Sequence, residues 1–309
     1  MEIFCAISEY RVINEKMVVG NDLGLFIGRH RVLHKLLGFL LPPTVRMKVI
    51  AAFHLYIDPS DWSGPSFYVG YGGPAAFYHY EEIEKSEILQ GFPSEGVFVD
   101  VGANIGLFSF FMARIFPKSR IFAFEPHPVL FHCLQETNQF NGIQNVFPFH
   151  SCLGAMDGKI DLILNGRDSG GHSTRSDQVG VAHQKGRISV AVQALDAFVV
   201  SKKLKRLDAI KIDVQGAEWN VLQGARETIA KFTPLMLIEF ENQFLLEYGN
   251  EVEKFFSVLP FYQVKRAGEG EWNSIAHLSK FAREDQSRQK LQTNYVFRSD
   301  PNAVTSTTH

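Results

Sequence analysis

VFVDVGANIGLFS, residues 97–109, decides the fold class. Its first five residues are β-branched or aromatic apart from Asp100, the pattern of a short central parallel strand, and Gly102 ends it. Asn104 to Phe116 then places Ile105, Phe108, Met112 and Ile115 near helical spacing until Pro117 stops the run. Outward from this step the alternation continues. Arg120 to Phe124 reads as a second strand, Pro128 to Phe140 as a second helix and Asn145 to His150 as a third strand. Later strands are expected at 187–192, 207–212, 234–239, 261–265 and 294–298, with one helix over 217–231. Repeated strand–helix steps imply an α/β fold with a doubly wound, mainly parallel sheet.

The strand–loop–helix step also carries the chemistry. Ligands sit at the carboxyl ends of strands in such sheets, and glycine at 102 and 106 would let backbone approach a ligand where a Cβ would clash. A second acid, Glu125, closes the next strand about 20 residues on, the separation at which a carboxylate accepts hydrogen bonds from a ribose. Two nucleotide-like ligands suit this layout, a dinucleotide such as NAD and S-adenosylmethionine. The dinucleotide fingerprint G-x-G-x-x-G fails here, because Asn104 and Leu107 stand where its second and third glycines belong. An ammonium- and sulfonium-bearing cofactor suits Asp100 better than a pyrophosphate does, so the methyl donor is preferred over the NAD-dependent oxidoreductase alternative.

Together, VFVDVGANIG, the FEP at 124–126, Leu195–Asp196 and IKIDVQGAEWNVLQGA at 210–225 resemble the FkbM family of class I methyltransferases. The resemblance runs from about Tyr80 to Glu241. It implies a Rossmann-like sheet of seven strands, S-adenosylmethionine as cofactor, and methylation of a hydroxyl on a small molecule or glycan. Carried over, it places Asp100, Gly102, Asn104 and Gly106 around the methionine part and Glu125, followed by Pro126, on the ribose. Ser151, Cys152 and Leu153 would border the adenine. Asp213, at the end of the fourth core strand, would face the transferred methyl, with Glu239 and His172 as further candidates for the base; Glu218 is read as a helix cap. One departure stands out: the family commonly has DVEGAE where this chain has DVQGAE, with Gln215 in place of an acid. A non-catalytic binding module with the same fold is a further alternative, and Gln215 is its only support.

Composition bounds the partners. With 31 Lys+Arg against 33 Asp+Glu over 309 residues, the chain offers no basic face for nucleic acid. Three cysteines, Cys5, Cys133 and Cys152, form no CxxC pair, so free thiols in a reducing compartment and no metal site are expected. Glu2 and Glu9 spoil a signal-peptide start, and Leu36 to Pro43 is far short of the roughly 20 residues that span a bilayer, so no export signal or transmembrane segment is expected and the location reads as cytoplasmic. Twenty-seven Phe residues suit an aromatic-packed core or an apolar pocket, with the core expected for most. The expected organisation is a helical or irregular extension at 1–79 with a helix at 29–41, a catalytic domain at 80–298, and a flexible tail at 299–309. The extension is expected to help cover the substrate side, and the polar run 165–186 to form a lid or surface loop.

Overall fold

The computed structural model describes residues 11–13, 16–19, 44–50, 53–61, 76–165, 171–174, 184–257 and 262–299. The expected helix at 29–41, Cys5 and the tail from 300 onward lie outside these. In chain order the elements are β1 (Arg11–Ile13), β2 (Lys16–Val19), β3 (Val45–Ile50), β4 (Phe53–Ile57), α1 (Ala76–His79), α2 (Glu82–Leu89), β5 (Val97–Val101), α3 (Leu107–Ile115), β6 (Arg120–Phe124), α4 (Pro128–Phe140), β7 (Val146–Phe149), β8 (Cys152–Leu153), β9 (Gly158–Asn165) and β10 (Gln184–Gln193). They continue with α5 (Leu195–Ser201), β11 (Ala209–Ile212), α6 (Glu218–Gln223), α7 (Arg226–Phe232), β12 (Leu235–Glu241), α8 (Asn242–Ser257), β13 (Tyr262–Arg266), β14 (Asn273–Ser274), α9 (Leu278–Ser287) and β15 (Gln292–Ser299).

The main sheet has the order β14-β13-β15-β12-β11-β5-β6-β7. Strands β12, β11, β5, β6 and β7 pair in parallel, while β15 runs antiparallel between β12 and β13. This is the expected doubly wound sheet, with the two-residue β14 added at its edge to the seven strands read from the sequence. All residues of β5 and β11 are buried, as a central parallel pair sandwiched by helices requires. Their register sets Lys211 beside Asp100. Strand order reverses at this pair, which opens a crevice at their carboxyl ends.

Most described phenylalanines fill the core. Phe122, Phe124, Phe149 and Phe198 pack as one ring cluster, and Phe240, Phe256 and Phe297 as another under β12 and β15. Cys133 and Cys152 are free thiols. Among the described residues, no helix is long and apolar enough to cross a membrane.

Three regions differ from the sequence reading. The helix expected over 217–231 is two helices, α6 and α7, separated where the backbone of Gly224 and Ala225 leaves the helical conformation; Gly224 also lies against the Gly154 carbonyl where any Cβ would overlap it. Strand β10, longer than the strand expected at 187–192, pairs with β8 and β9, which the sequence reading did not expect, in a separate three-stranded sheet. The described part of the extension contains a four-stranded sheet, β1-β2-β3-β4, where helical or irregular chain is expected. Strand β4 docks on α4: the Tyr56 N–H donates to Thr137 Oγ1 at 2.8 Å, the His54 N–H donates to Asn141 Oδ1 at 2.9 Å, and Phe53 packs edge-on against Phe110 of α3. The stretch that follows this sheet, at the α1–α2 junction, reaches the crevice.

Candidate functional site

A cavity of about 700 Å³ lies over the carboxyl ends of β5, β6 and β11. That volume is in the range of small-molecule sites. Its lining includes Asp100, Gly102, Asn104, Glu125, Pro126, Cys152, Leu153, His172, Asp213 and Glu239, so the structure brings together ten of the twelve sequence-derived candidates. Ser151 and Gly106 are the two outside it. The Ser151 hydroxyl accepts a hydrogen bond from Gln193 Nε2 at 3.0 Å, and Gly106 makes room for Leu134 and Phe110 where α3 meets α4. Gly102 lines the cavity, yet the contact that demands a glycine is internal. At φ +82° a Cβ there would overlap the Asp213 carbonyl oxygen, so the missing side chain lets the β5 and β11 loops touch each other.

At one end of the cavity, backbone amides hold the acids. The Gly102 and Ala103 N–H groups donate to the Phe124 carbonyl at 3.0 and 2.9 Å, folding the loop onto β6. The Asn104 N–H donates to Glu125 Oε2 at 2.8 Å and the His127 N–H to Oε1 at 2.7 Å. Burial pushes the Glu125 carboxyl up to about 7 despite these donors, and each oxygen keeps lone-pair capacity. Asp100 is fully buried; its Oδ2 accepts from the Ser109 hydroxyl at 2.6 Å, while Oδ1 is buried without a partner. Burial raises the Asp100 carboxyl, with Lys211 opposing. The Cys152 thiol is pushed up to about 12 by burial and by Glu125, which keeps it protonated and poorly nucleophilic.

At the other end, side chains from separate elements meet around one ammonium. Lys211 Nζ lies 3.0 Å from Asp213 Oδ2 and 3.6 Å from Glu81 Oε1. Burial disfavours the Lys211 charge, but Asp213, Glu81 and Asp100 more than offset this and hold it well above the usual lysine range. Burial likewise pushes the Asp213 carboxyl up, and the Lys211 charge and hydrogen bond overcome it, leaving Asp213 below its ordinary value. Glu239 goes the other way, up to about 9, through burial and the Asp213 charge. Of two adjacent carboxyls, Asp213 is therefore ionised and Glu239 protonated near neutrality. Gln215 Nε2 donates to both, at 3.0 Å to Asp213 Oδ1 and 3.1 Å to Glu239 Oε2, and its Oε1 accepts from Gln292 Nε2 at 3.1 Å, which fixes the amide's orientation. An acid at 215 would set a third carboxyl among them. Glu218 braces the loop beneath, its Oε1 accepting from the Gly216 N–H at 2.9 Å.

His172 does not fit the role of base. Its Nδ1 accepts the Asn165 N–H at 2.9 Å, which puts the ring proton on Nε2, and burial followed by the neighbouring His127 pushes its pKa to about 3. Its ring stacks on His127 with centroids 4.4 Å apart. It can donate a hydrogen bond into the cavity but has no free lone pair to take a proton. Sequence reasoning missed Tyr80, Glu81, Lys211 and Gln292, all in the lining. Only Lys211 carried a signal, a lysine in the middle of an otherwise apolar buried strand.

These features define a class: a doubly wound α/β domain with an acid-ringed small-molecule cavity at its switch point. Residues 100–268 match the Methyltransferase FkbM domain, and the chain belongs to that family. It is 31% identical over 175 residues to "Methyltransferase 1" of Beauveria bassiana, covering 50% of this chain and 70% of that protein. It is 27% identical over 182 residues to "2-O-methyltransferase NoeI" of Sinorhizobium fredii, covering 54% of this chain and 72% of the relative. To "Hexuronic acid methyltransferase AglP" of Haloferax volcanii it is 28% identical over 144 residues, covering 47% and 52%.

Proposed function

We propose that this chain is an S-adenosylmethionine-dependent methyltransferase that methylates a hydroxyl oxygen of a small molecule or glycan. The observation that carries the reading is Asp100 Oδ1, a buried carboxylate oxygen without a partner, in a cavity that Glu125 also lines. A buried acceptor left unpaired is costly, and an ammonium is the group that satisfies it best. The residues fit the donor on chemistry as well. Asp100 would accept from its amine, Glu125 from the ribose hydroxyls, and Cys152 and Leu153 would flank the adenine. A dinucleotide fits worse, because the buried Lys211 is already paired and the remaining acids would repel a pyrophosphate.

Bound S-adenosylmethionine supplies an electrophilic methyl on a positive sulfur. This chain supplies position and proton transfer. Asp213, ionised beside Lys211, takes the acceptor's hydroxyl proton as its oxygen becomes the nucleophile, and Glu239 keeps its own proton and so leaves Asp213 as the single base. The name of the Sinorhizobium fredii relative, a 2-O-methyltransferase, supports an oxygen acceptor, and that of the Haloferax volcanii relative, a hexuronic acid methyltransferase, supports a sugar-derived one. Calorimetric titration with S-adenosylhomocysteine tests the donor site; micromolar binding that weakens at least tenfold in both Asp100→Asn and Glu125→Gln is expected. A melting temperature raised by NAD but not by S-adenosylhomocysteine would overturn the reading in favour of an oxidoreductase.

A further inference from the structure

Resting on that reading, the acceptor end itself narrows the substrate class. It is not built wholly from the segment that matches the family: Tyr80 and Glu81 come from the α1–α2 junction, upstream of residue 100. The chain there is held in an unusual shape. Glu81 has φ +51°, a left-handed conformation that side-chain-bearing residues rarely adopt, so its placement is over-determined by its surroundings. One clamp is Lys85, which is buried on α2, donates to the Phe77 carbonyl at 2.8 Å and to the Tyr80 carbonyl, and sits over the Phe111 ring. The turn therefore presents Tyr80 and Glu81 to the cavity from a rigid support.

What it presents is an acceptor-rich surface. Glu81 spends one oxygen on Lys211 at 3.6 Å and leaves Oε2 buried with no hydrogen-bond partner. Asp213 spends its Oδ2 on the same ammonium and its Oδ1 on Gln215. Burial pushes the Glu81 carboxyl up to about 7 against the pull of Lys211, so Asp213 is the ionised partner of the ammonium and Glu81 shares it as a partly protonated acid; both contacts engage the Lys211 charge. The other lysine of the described lining, Lys159, is exposed on β9. An acceptor bearing a carboxylate would have to be desolvated against Asp213 and Glu81, and the buried lysine of the described lining, Lys211, is already engaged by both. Neighbouring hydroxyl donors meet no such penalty, since each can give its hydrogen to one of two carboxylates held a single ammonium apart.

We infer that the acceptor is a neutral ring bearing adjacent hydroxyls, as in an uncharged sugar unit, with Glu81 accepting from the hydroxyl beside the one that gives its proton to Asp213. In the transfer the acceptor's oxygen–carbon bond forms as the donor's sulfur–carbon bond breaks; the sulfur keeps the bond's electron pair, and the hydroxyl proton passes to Asp213. Glu81 is then a specificity-determining residue, and uronates are excluded by charge.

The test is methyl transfer from labelled S-adenosylmethionine to three probe sets: methyl glycosides of neutral hexoses, the matching methyl hexuronates, and cyclohexanol as a ring with one hydroxyl. At least one neutral glycoside is expected to be methylated, at least tenfold faster than its hexuronate and than cyclohexanol. Glu81→Gln and the shorter Glu81→Asp are each expected to lower kcat/KM for that glycoside by at least tenfold while S-adenosylhomocysteine binds as in the unaltered protein, which also reports that the variants fold. Hexuronates or cyclohexanol methylated as well as the neutral glycoside, no neutral glycoside methylated by a protein that binds S-adenosylhomocysteine, or Glu81 variants with unchanged kcat/KM, would each overturn the inference. Absence of S-adenosylhomocysteine binding in the unaltered protein would instead bring down the donor reading beneath it.

Discussion

The two ends of the cavity are built by different means. At the Asp100–Glu125 end, Asp100 lies in β5 and Glu125 directly follows β6, and they are held by backbone N–H groups and a hydroxyl of the same strand–loop–helix step and the turn after β6. At the Lys211 end, Glu81, Asp213, Gln215, Glu239 and Gln292 come from the α1–α2 junction, the β11 loop, β12 and β15, and they hold one another through side chains. A site fixed by local backbone keeps its shape through most side-chain changes. A site made of mutually dependent charges can be retuned by one substitution, which suits the part of a transferase that must choose its acceptor.

The sharpest way to break this division is at Gly102, where the loops of the two ends touch. Gly102→Ala sets a Cβ against the Asp213 carbonyl at φ +82°, and a loss of about 3 kcal/mol or more in a denaturant melt is expected. Asp100→Asn comes next. It keeps the bond with Ser109 and removes the charge that would face an ammonium, so roughly tenfold to hundredfold weaker S-adenosylhomocysteine binding is expected in calorimetry, with little change in melting temperature.

A pH series separates the ends with a smaller effect. Glu239, at about 9 when folded, holds a proton that the unfolded chain releases near 4.5, so the folded state binds more protons over that interval and stability falls as pH rises through it. Below 6.5, His172 works in the opposite sense, since its folded pKa is about 3, and above about 8 the depressed Lys85 also opposes the fall. Between pH 6.5 and 8 the melting temperature of the unliganded protein should therefore decline, with Glu81, Glu125 and Glu218, each pushed up to about 7, adding to it at the lower end, and Glu239→Gln should make the decline shallower, most clearly above pH 7. An equal slope in both proteins would remove Glu239 as the proton holder. The smallest effect is expected at His172: with no free lone pair, His172→Asn should leave kcat within about threefold of the unaltered enzyme, where a true base would cost far more.

The donor end was legible in the sequence because its chemistry is local. Asp100, Asn104 and Glu125 follow directly from one strand–loop–helix step and the strand after it. The reason given for the glycines was not legible, since both Gly102 and Gly106 answer to neighbours distant in sequence, Asp213 and Leu134. The acceptor end was legible only in part. Asp213 and Glu239 close recognisable strands, but Glu81 sits in an ordinary run of acids, and nothing in HYEEIEKSE distinguishes the one that meets Lys211. His172 misled for a related reason. A histidine in a polar run looks like an available base until the fold hands its lone pair to the Asn165 amide. The glycine at the break between α6 and α7 answers to a contact with Gly154, which no periodicity records.

The most direct measurement is a crystal structure with S-adenosylhomocysteine and a neutral methyl glycoside. The amine of the cofactor product is expected on Asp100 Oδ1, its ribose hydroxyls on Glu125, and its sulfur facing a glycoside hydroxyl held by Asp213. A ribose away from Glu125, or a sulfur turned from the Lys211–Asp213–Glu81 cluster, would contradict the division of the cavity into a donor and an acceptor end.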